Sequence, residues 1–145
     1  MNMKLITREI DYAVRALKYM AEAGRDRIPV TELVQELGIN RPMLRRIMQK
    51  LAKDGALVSY KGNNGGFSLN KRPEDIYLID LVQLFQGKFS MNECVLNREI
   101  CPNRESCILK RKIEDIEKDV KRKLQSISLS SLMDKKGEKK WQKET

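Results

Sequence analysis

The sequence predicts a mainly helical fold that carries one small β-hairpin and ends on a long helix. Three observations predict it. Apolar residues recur at helical spacing in three successive N-terminal segments, each closed by a glycine: Gly24, Gly38 and Gly55. Two short strand-like runs then flank the turn Lys61-Gly62-Asn63-Asn64-Gly65-Gly66. Further on, Leu109, Ile113, Ile116, Val120, Leu124 and Ile127 step by three or four residues, a heptad-like stripe. Aromatic residues make up 6% of the chain, which argues against a β-rich sandwich.

Thr7 is placed to cap the first helix, with Glu9 and Asp11 in its first turn, where free N–H groups favour carboxylates. Ile10, Ala13, Val14, Leu17, Met20 and Ala21 recur along that helix, and Gly24 ends it. After the polar Arg25-Asp26-Arg27, Thr31 is expected to cap a short second helix carrying Leu33, Val34 and Leu37, closed by Gly38. Ile39-Asn40 makes a tight connection. Asn40 is a good cap for the third helix, and Pro42 sits near its start, where a missing N–H does no harm. That helix runs to about Asp54. Leu44, Ile47, Met48 and Leu51 form its inward stripe; Arg41, Arg45, Arg46, Gln49 and Lys50 lie on the other side. A basic helix face is commonly no more than a solvated surface. Here it follows a helix and a glycine-containing turn, the helix-turn-helix arrangement.

Residues 56–60 read as a strand, 61–66 as a mobile turn whose Gly and Asn tolerate positive φ, and 67–70 as the returning strand. A basic helix followed by a hairpin with a glycine-rich tip is a winged helix. The helix enters the major groove of double-stranded DNA, and the wing follows the backbone or reaches the minor groove. The candidate DNA-binding residues are therefore Arg41, Arg45, Arg46, Gln49 and Lys50 on the helix, with Lys61 and Asn64 on the wing. Arg can pair bidentately with guanine.

Pro73-Glu74-Asp75 opens a new segment; Ile76 and residues 78–85 suggest a short helix ended by Gly87. Residues 88–106 show no strong period. A long helix with a single apolar seam at the end of a small chain either pairs with a copy of itself or packs back on its own domain. Two-fold DNA sites suit the first, a homodimer on a palindromic operator. The fold class is thus mainly α with a small β-hairpin wing: a winged helix-turn-helix plus a long C-terminal dimerisation helix. Residues 1–72 form the winged-helix DNA-binding domain and 73–133 the cysteine-bearing loop and dimerisation helix. Residues 134–145, rich in Lys and Glu, form a charged tail expected to be disordered.

Composition agrees. With 145 residues there is room for one domain and an appended helix, not two enzyme domains. Charged residues are 34% of the chain, above the roughly 25% of an average soluble protein. The net charge of +9 is unevenly placed: residues 1–72 hold 14 Lys/Arg against 7 Asp/Glu, residues 73–145 hold 15 against 13. A localised basic surface is the footprint of a phosphate-backbone partner. No apolar run approaches the length of a membrane span, and the N-terminus lacks the apolar core of a signal peptide, so a cytoplasmic protein is expected. Histidine is absent. That removes Ser-His-Asp and Cys-His nucleophile pairs and His-based zinc sites. The glycine run at 62–66 is not followed by Gly-Lys-Ser/Thr and is no phosphate loop. An enzyme is not expected.

Cys94, Cys101 and Cys107 are the only cysteines, all within 14 residues. In a reducing compartment such a cluster reads as ligands or sensors rather than as disulfides. Zinc prefers thiolates two to four residues apart, which neither gap provides; an iron–sulfur cluster accepts wider loops. Cys107 falls in the first turn of the long helix, where the helix N-terminus favours a thiolate. Three thiolates leave one coordination position, for an oxygen ligand, a small molecule or water.

Several motifs occur in order: Met3-Lys4-Leu5, then Asp11-Tyr12-Ala13-Val14-Arg15-Ala16-Leu17, the turn and basic helix, residues 61–69, and the three late cysteines. Over about residues 3–133 the chain resembles the iron–sulfur cluster regulator family (the Rrf-two family of IscR-, NsrR- and RirA-like winged-helix transcription regulators). The resemblance implies a homodimer whose three cysteines ligate a cluster, 2Fe-2S in the common case and 4Fe-4S in others, near the dimer interface. It implies a DNA-binding transcriptional regulator, a repressor among the expected modes. Its operator binding would answer to iron or cluster status, redox state or nitric oxide. Some members take a fourth ligand from a His soon after the third cysteine; Ile108, Leu109 and Lys110 stand there instead. Others use a carboxylate of the partner's first helix, a position that Asp11 matches, with Glu9 nearby; Asp11 equally reads as an ordinary helix N-terminal carboxylate. The first cysteine gap is one residue longer than the common five. A cluster-free regulator switched by thiol oxidation, a small effector or a partner protein is the alternative, and a zinc-stabilised interaction module a third reading.

Overall fold

The computed structural model describes residues 5–87 and 107–133. Five helices and one hairpin account for most of them. Helix α1 spans Arg8–Ala23; Thr7 Oγ1 accepts from the Ile10 N–H at 3.4 Å, and Gly24 closes it at φ 63°. Helix α2 spans Val30–Leu37 and helix α3 spans Arg41–Asp54. Asn40 Oδ1 accepts from the Met43 N–H at 2.9 Å, as its place in the sequence predicted. Strands β1 (Leu57–Tyr60) and β2 (Gly66–Leu69) pair antiparallel, Leu57 opposite Leu69 and Tyr60 opposite Gly66. A 3-10 turn at Pro73–Asp75 leads into helix α4 (Leu78–Gln86). Helix α5 spans Ile108–Ser126 and is followed by a 3-10 turn at Ser130–Leu132.

Three expectations need correction. Thr31 does not cap α2. That helix starts two residues earlier than a Thr31 cap would set it, behind an extended Pro29 whose carbonyl takes the N–H groups of Glu32 and Leu33. A proline with its φ preset can launch a helix without a side-chain cap, and the Thr31 hydroxyl is left to accept from Arg41. In the wing only glycines take positive φ, Gly62 at 96° and Gly66 at 144°; Asn63 and Asn64 do not. Cys107 lies at the N-cap of α5, one position before its first turn. The expected tail 134–145, and Cys94 and Cys101, lie outside the described residues.

The core joins all five helices. Ile10, Leu17, Leu33, Leu44, Ile47, Met48 and Leu51 are fully buried, so the predicted inward stripe of α3 faces α1 and α2. Each such side chain contributes ~1.5–3 kcal/mol by leaving water. Among the described residues no polar or charged side chain is buried, so no hydrogen-bond cost offsets that burial.

The seam of α5 divides between the two roles weighed for it. At its C-terminal end Leu124 is 4% exposed and belongs to the core cluster, with Val120 packed against it. The chain after α5 is hydrogen-bonded to the segment before α4: Leu78 N–H donates to Ile127 O at 2.9 Å and Leu129 N–H to Ile76 O at 2.7 Å. At the N-terminal end the apolar residues face outward. Ile108 and Leu109 are 71% exposed and Ile116 49%. The C-terminal end anchors the helix to the domain, while Ile108, Leu109 and Ile116 lie exposed among charged neighbours.

Candidate nucleic-acid interface

Helix α3 presents a basic face because its period leaves every third or fourth residue apolar and the intervening positions cationic. Arg41, Arg45, Arg46, Gln49 and Lys50 are all exposed, opposite the buried Leu44-Ile47-Met48-Leu51 stripe. Asp54 is the only carboxylate on the helix. Among the described residues neither Arg45 nor Arg46 is held by an ion pair, so both guanidinium groups keep their donors for a partner. The remaining cations are partly engaged. Arg41 Nη2 donates to Thr31 Oγ1 at 3.2 Å, which ties the start of α3 to α2. Lys50 Nζ stands 5.2 Å from the centroid of the Phe85 ring on α4, a cation–π contact.

The wing is built by close backbone approach. A Cβ on Gly65 would fall 2.7 Å from Tyr60 O and 2.8 Å from Gly62 O, so only glycine closes this turn. Lys61 and Asn64 are exposed on it, as expected. The hairpin is also fastened to the loop between α1 and α2. Ile28 N–H donates to Phe67 O at 2.9 Å, and Phe67 N–H donates to Ile28 O at 3.0 Å. Ile28 is thus a one-residue third strand, too short to show as a run in the sequence. Beside it Arg27, which sequence reading passed over as loop polarity, lies over the Tyr60 ring at 3.8 Å and reaches Asn64 O at 3.5 Å. The one available signal was the apolar Ile28-Pro29-Val30 after a short polar loop.

A second polar group joins α1 to α2. Tyr19 OH donates to Glu32 Oε2 at 3.2 Å, and Arg25 pairs with the same carboxylate. Desolvation, then the Glu32 charge, raises the Tyr19 hydroxyl above its ordinary pKa.

Of the expected cluster ligands, the described residues include two. Cys107 is partly exposed at the head of α5. Its carbonyl takes the Arg111 N–H at 3.3 Å, and its side chain makes no capping bond. Asp11 is on the first turn of α1 with its carboxylate about half exposed, 3.0 Å from Arg15 Nε one turn on. Among the described residues no three cysteine or carboxylate side chains gather as a metal site. The donor chemistry nevertheless suits a cluster: three soft sulfurs, one of them at a helix N-cap position where it makes no side-chain capping bond. No described helix is long and apolar enough to cross a membrane.

Comparison with known proteins adds relatives. The family model Rrf2, described as an iron-dependent transcriptional regulator, matches residues 6–135. A protein of Aquifex aeolicus (strain VF5) named as an HTH-type transcriptional regulator is 35% identical over 114 residues. The match covers 77% of this chain and 78% of that protein. Among solved structures, CymR, the global cysteine regulator of B. subtilis, superposes with a TM-score of 0.73 at 22% identity, over 90% of this chain and 96% of that one. T. potens IscR superposes with a TM-score of 0.67 at 22% identity, over 88% and 84%.

Proposed function

This chain belongs to the Rrf2 family of transcriptional regulators, and on that premise we propose that it binds a palindromic operator as a homodimer under the control of an iron–sulfur cluster. Family and fold make it a DNA-binding regulator and not an enzyme. The observation that carries the finer reading is the grouping of Cys94, Cys101 and Cys107, with Cys107 uncommitted at the head of α5.

The residues would act as follows. Arg45 and Arg46, free of ion pairs among the described residues, meet base edges or phosphates in the major groove, with Arg41, Gln49 and Lys50 beside them; Lys61 and Asn64 meet the backbone from the wing. The outward half of the α5 seam, Ile108, Leu109 and Ile116, is covered by a second copy, which sets the distance between two recognition helices. Cys94, Cys101 and Cys107 hold the cluster, 2Fe-2S in our reading, and Asp11 of the partner subunit is the candidate oxygen ligand. When bound, the cluster supplies a redox- and nitric-oxide-sensitive group tying Cys107 to the segment that follows α4. Helix α4 meets α3 through Phe85 and Lys50, and the N-terminal segment through Gln86 Nε2 and Leu5 O at 3.4 Å. A change in how α4 and α5 are held therefore reaches the DNA-reading helix through packed neighbours. The likeness to a cysteine regulator offers the competing reading, a cluster-free switch working through thiols or a small effector.

Anaerobically purified protein tests this. Brown protein with equal iron and acid-labile sulfide, whose affinity for a DNA duplex changes when the cluster is removed, is the expected result. Colourless protein that resists reconstitution, or equal affinities with and without cluster, overturns cluster control. It leaves the winged-helix regulator with a thiol or effector switch.

A further inference from the structure

We infer that Arg27, in the connection between α1 and α2, is a positioning residue for DNA binding that holds the wing in its DNA-facing attitude through Tyr60 and Asn64. The inference rests on the wing contact proposed above.

The hairpin has few other restraints near its tip. Its two strands are four residues each, and the turn is closed by one hydrogen bond, Gly65 N–H to Gly62 O at 2.9 Å. Lys61, Gly62, Asn63 and Asn64 are all exposed, so no core packing fixes the tip. Two contacts reach it from outside the hairpin. The Ile28–Phe67 bridge fastens the start of β2, one residue in from the turn-closing pair Tyr60–Gly66. Arg27, the next residue back, acts further out, where its guanidinium carbon stands 3.8 Å from the centroid of the Tyr60 ring at the end of β1 and its Nη1 donates to the Asn64 main-chain oxygen. Tyr60 is in turn positioned by Ser68 Oγ across the hairpin at 3.5 Å. Arg27 thus spans the last residue of β1 and the crest of the turn. The guanidinium suits this: its plane stacks on an aromatic face while its edge donors remain free, which a lysine ammonium cannot do at once. Among the described residues Arg27 has no carboxylate partner, so its orientation is set by the wing.

An ordered wing loses less conformational freedom when it meets DNA, so removing the strut weakens binding without removing a phosphate contact. The test uses the full chain and a duplex selected from a random pool by the wild-type protein. The variants are Arg27→Ala, Tyr60→Leu, their double and Lys61→Ala. Arg27→Ala and Tyr60→Leu are each expected to weaken binding about two- to five-fold. The double variant should lose no more than the weaker single, the salt dependence of affinity should keep its slope, and amide exchange over residues 61–66 should quicken in the free protein. A slope reduced by about one in Arg27→Ala with unchanged exchange would make Arg27 a direct phosphate contact and overturn the inference. Additive losses would overturn the coupling to Tyr60. If Lys61→Ala weakens binding while Arg27→Ala and Tyr60→Leu do not, this inference alone fails. If Lys61→Ala and the strut variants all bind as wild type, the wing contact itself is wrong.

Discussion

Gly66→Ala and Gly62→Ala make a paired test of how the wing is attached. Both glycines have positive φ, 144° and 96°. Their surroundings differ. A Cβ on Gly62 meets nothing within 4 Å, whereas one on Gly66 would lie 2.5 Å from Ile28 O and 3.1 Å from Pro29 Cα. Those are backbone atoms and cannot swing aside. Each substitution should therefore cost the conformational part, ~1–3 kcal/mol. Gly66→Ala must also push the Ile28 loop away from β2. That movement breaks the two hydrogen bonds between Ile28 and Phe67, at ~0.5–1.5 kcal/mol each. Gly66→Ala is then expected to be the less stable variant by ~1–3 kcal/mol. Urea unfolding followed by circular dichroism measures this, and an unchanged m-value would confirm that the denatured state is not the source. Equal stability of the two variants would refute the reasoning, because it would mean that the close approach of the loop to the wing is not what requires glycine at 66.

Three further outcomes follow from single features. Ile116→Glu puts a charge in the exposed half of the α5 seam without touching the buried Leu124 end; sedimentation should show dissociation towards monomer with helix content kept, and an unchanged mass would remove this seam from the proposed dimer. Asn40→Ala deletes the side-chain acceptor of the Met43 N–H and should lower stability by ~1 kcal/mol in the same urea assay. Tyr19 titrates above its ordinary 10.0 in the folded chain, so the contribution is fully present below pH 10 and declines as pH rises through the folded value. Tyr19→Phe should lose that component of the alkaline decline, and identical alkaline profiles would count against it.

Much of this molecule was legible in one dimension because local chemistry decided it. Thr7, Asn40, Gly24, Gly38 and Gly55 cap helices through atoms within a few residues of themselves. The stripe of α3 follows from its period alone, and with it the outward basic face that marks a DNA reader. Absence of histidine, clustered cysteines and charge asymmetry are likewise properties of the chain and need no fold. What remained open were contacts between residues distant in sequence. The seam of α5 has one uniform pattern, yet Leu124 is buried in the core and Leu109 is 71% exposed. Periodicity records that a face is apolar, not what covers it. Thr31 reads as a cap by type, but whether a helix begins at residue 30 or 32 depends on how Pro29 is held as Ile28 pairs with Phe67, a partner 39 residues on. Arg27 over Tyr60 belongs to the same class. Nothing near Arg27 in the chain announces an aromatic ring, and only folding of the hairpin against the α1–α2 loop brings the cation and the ring together.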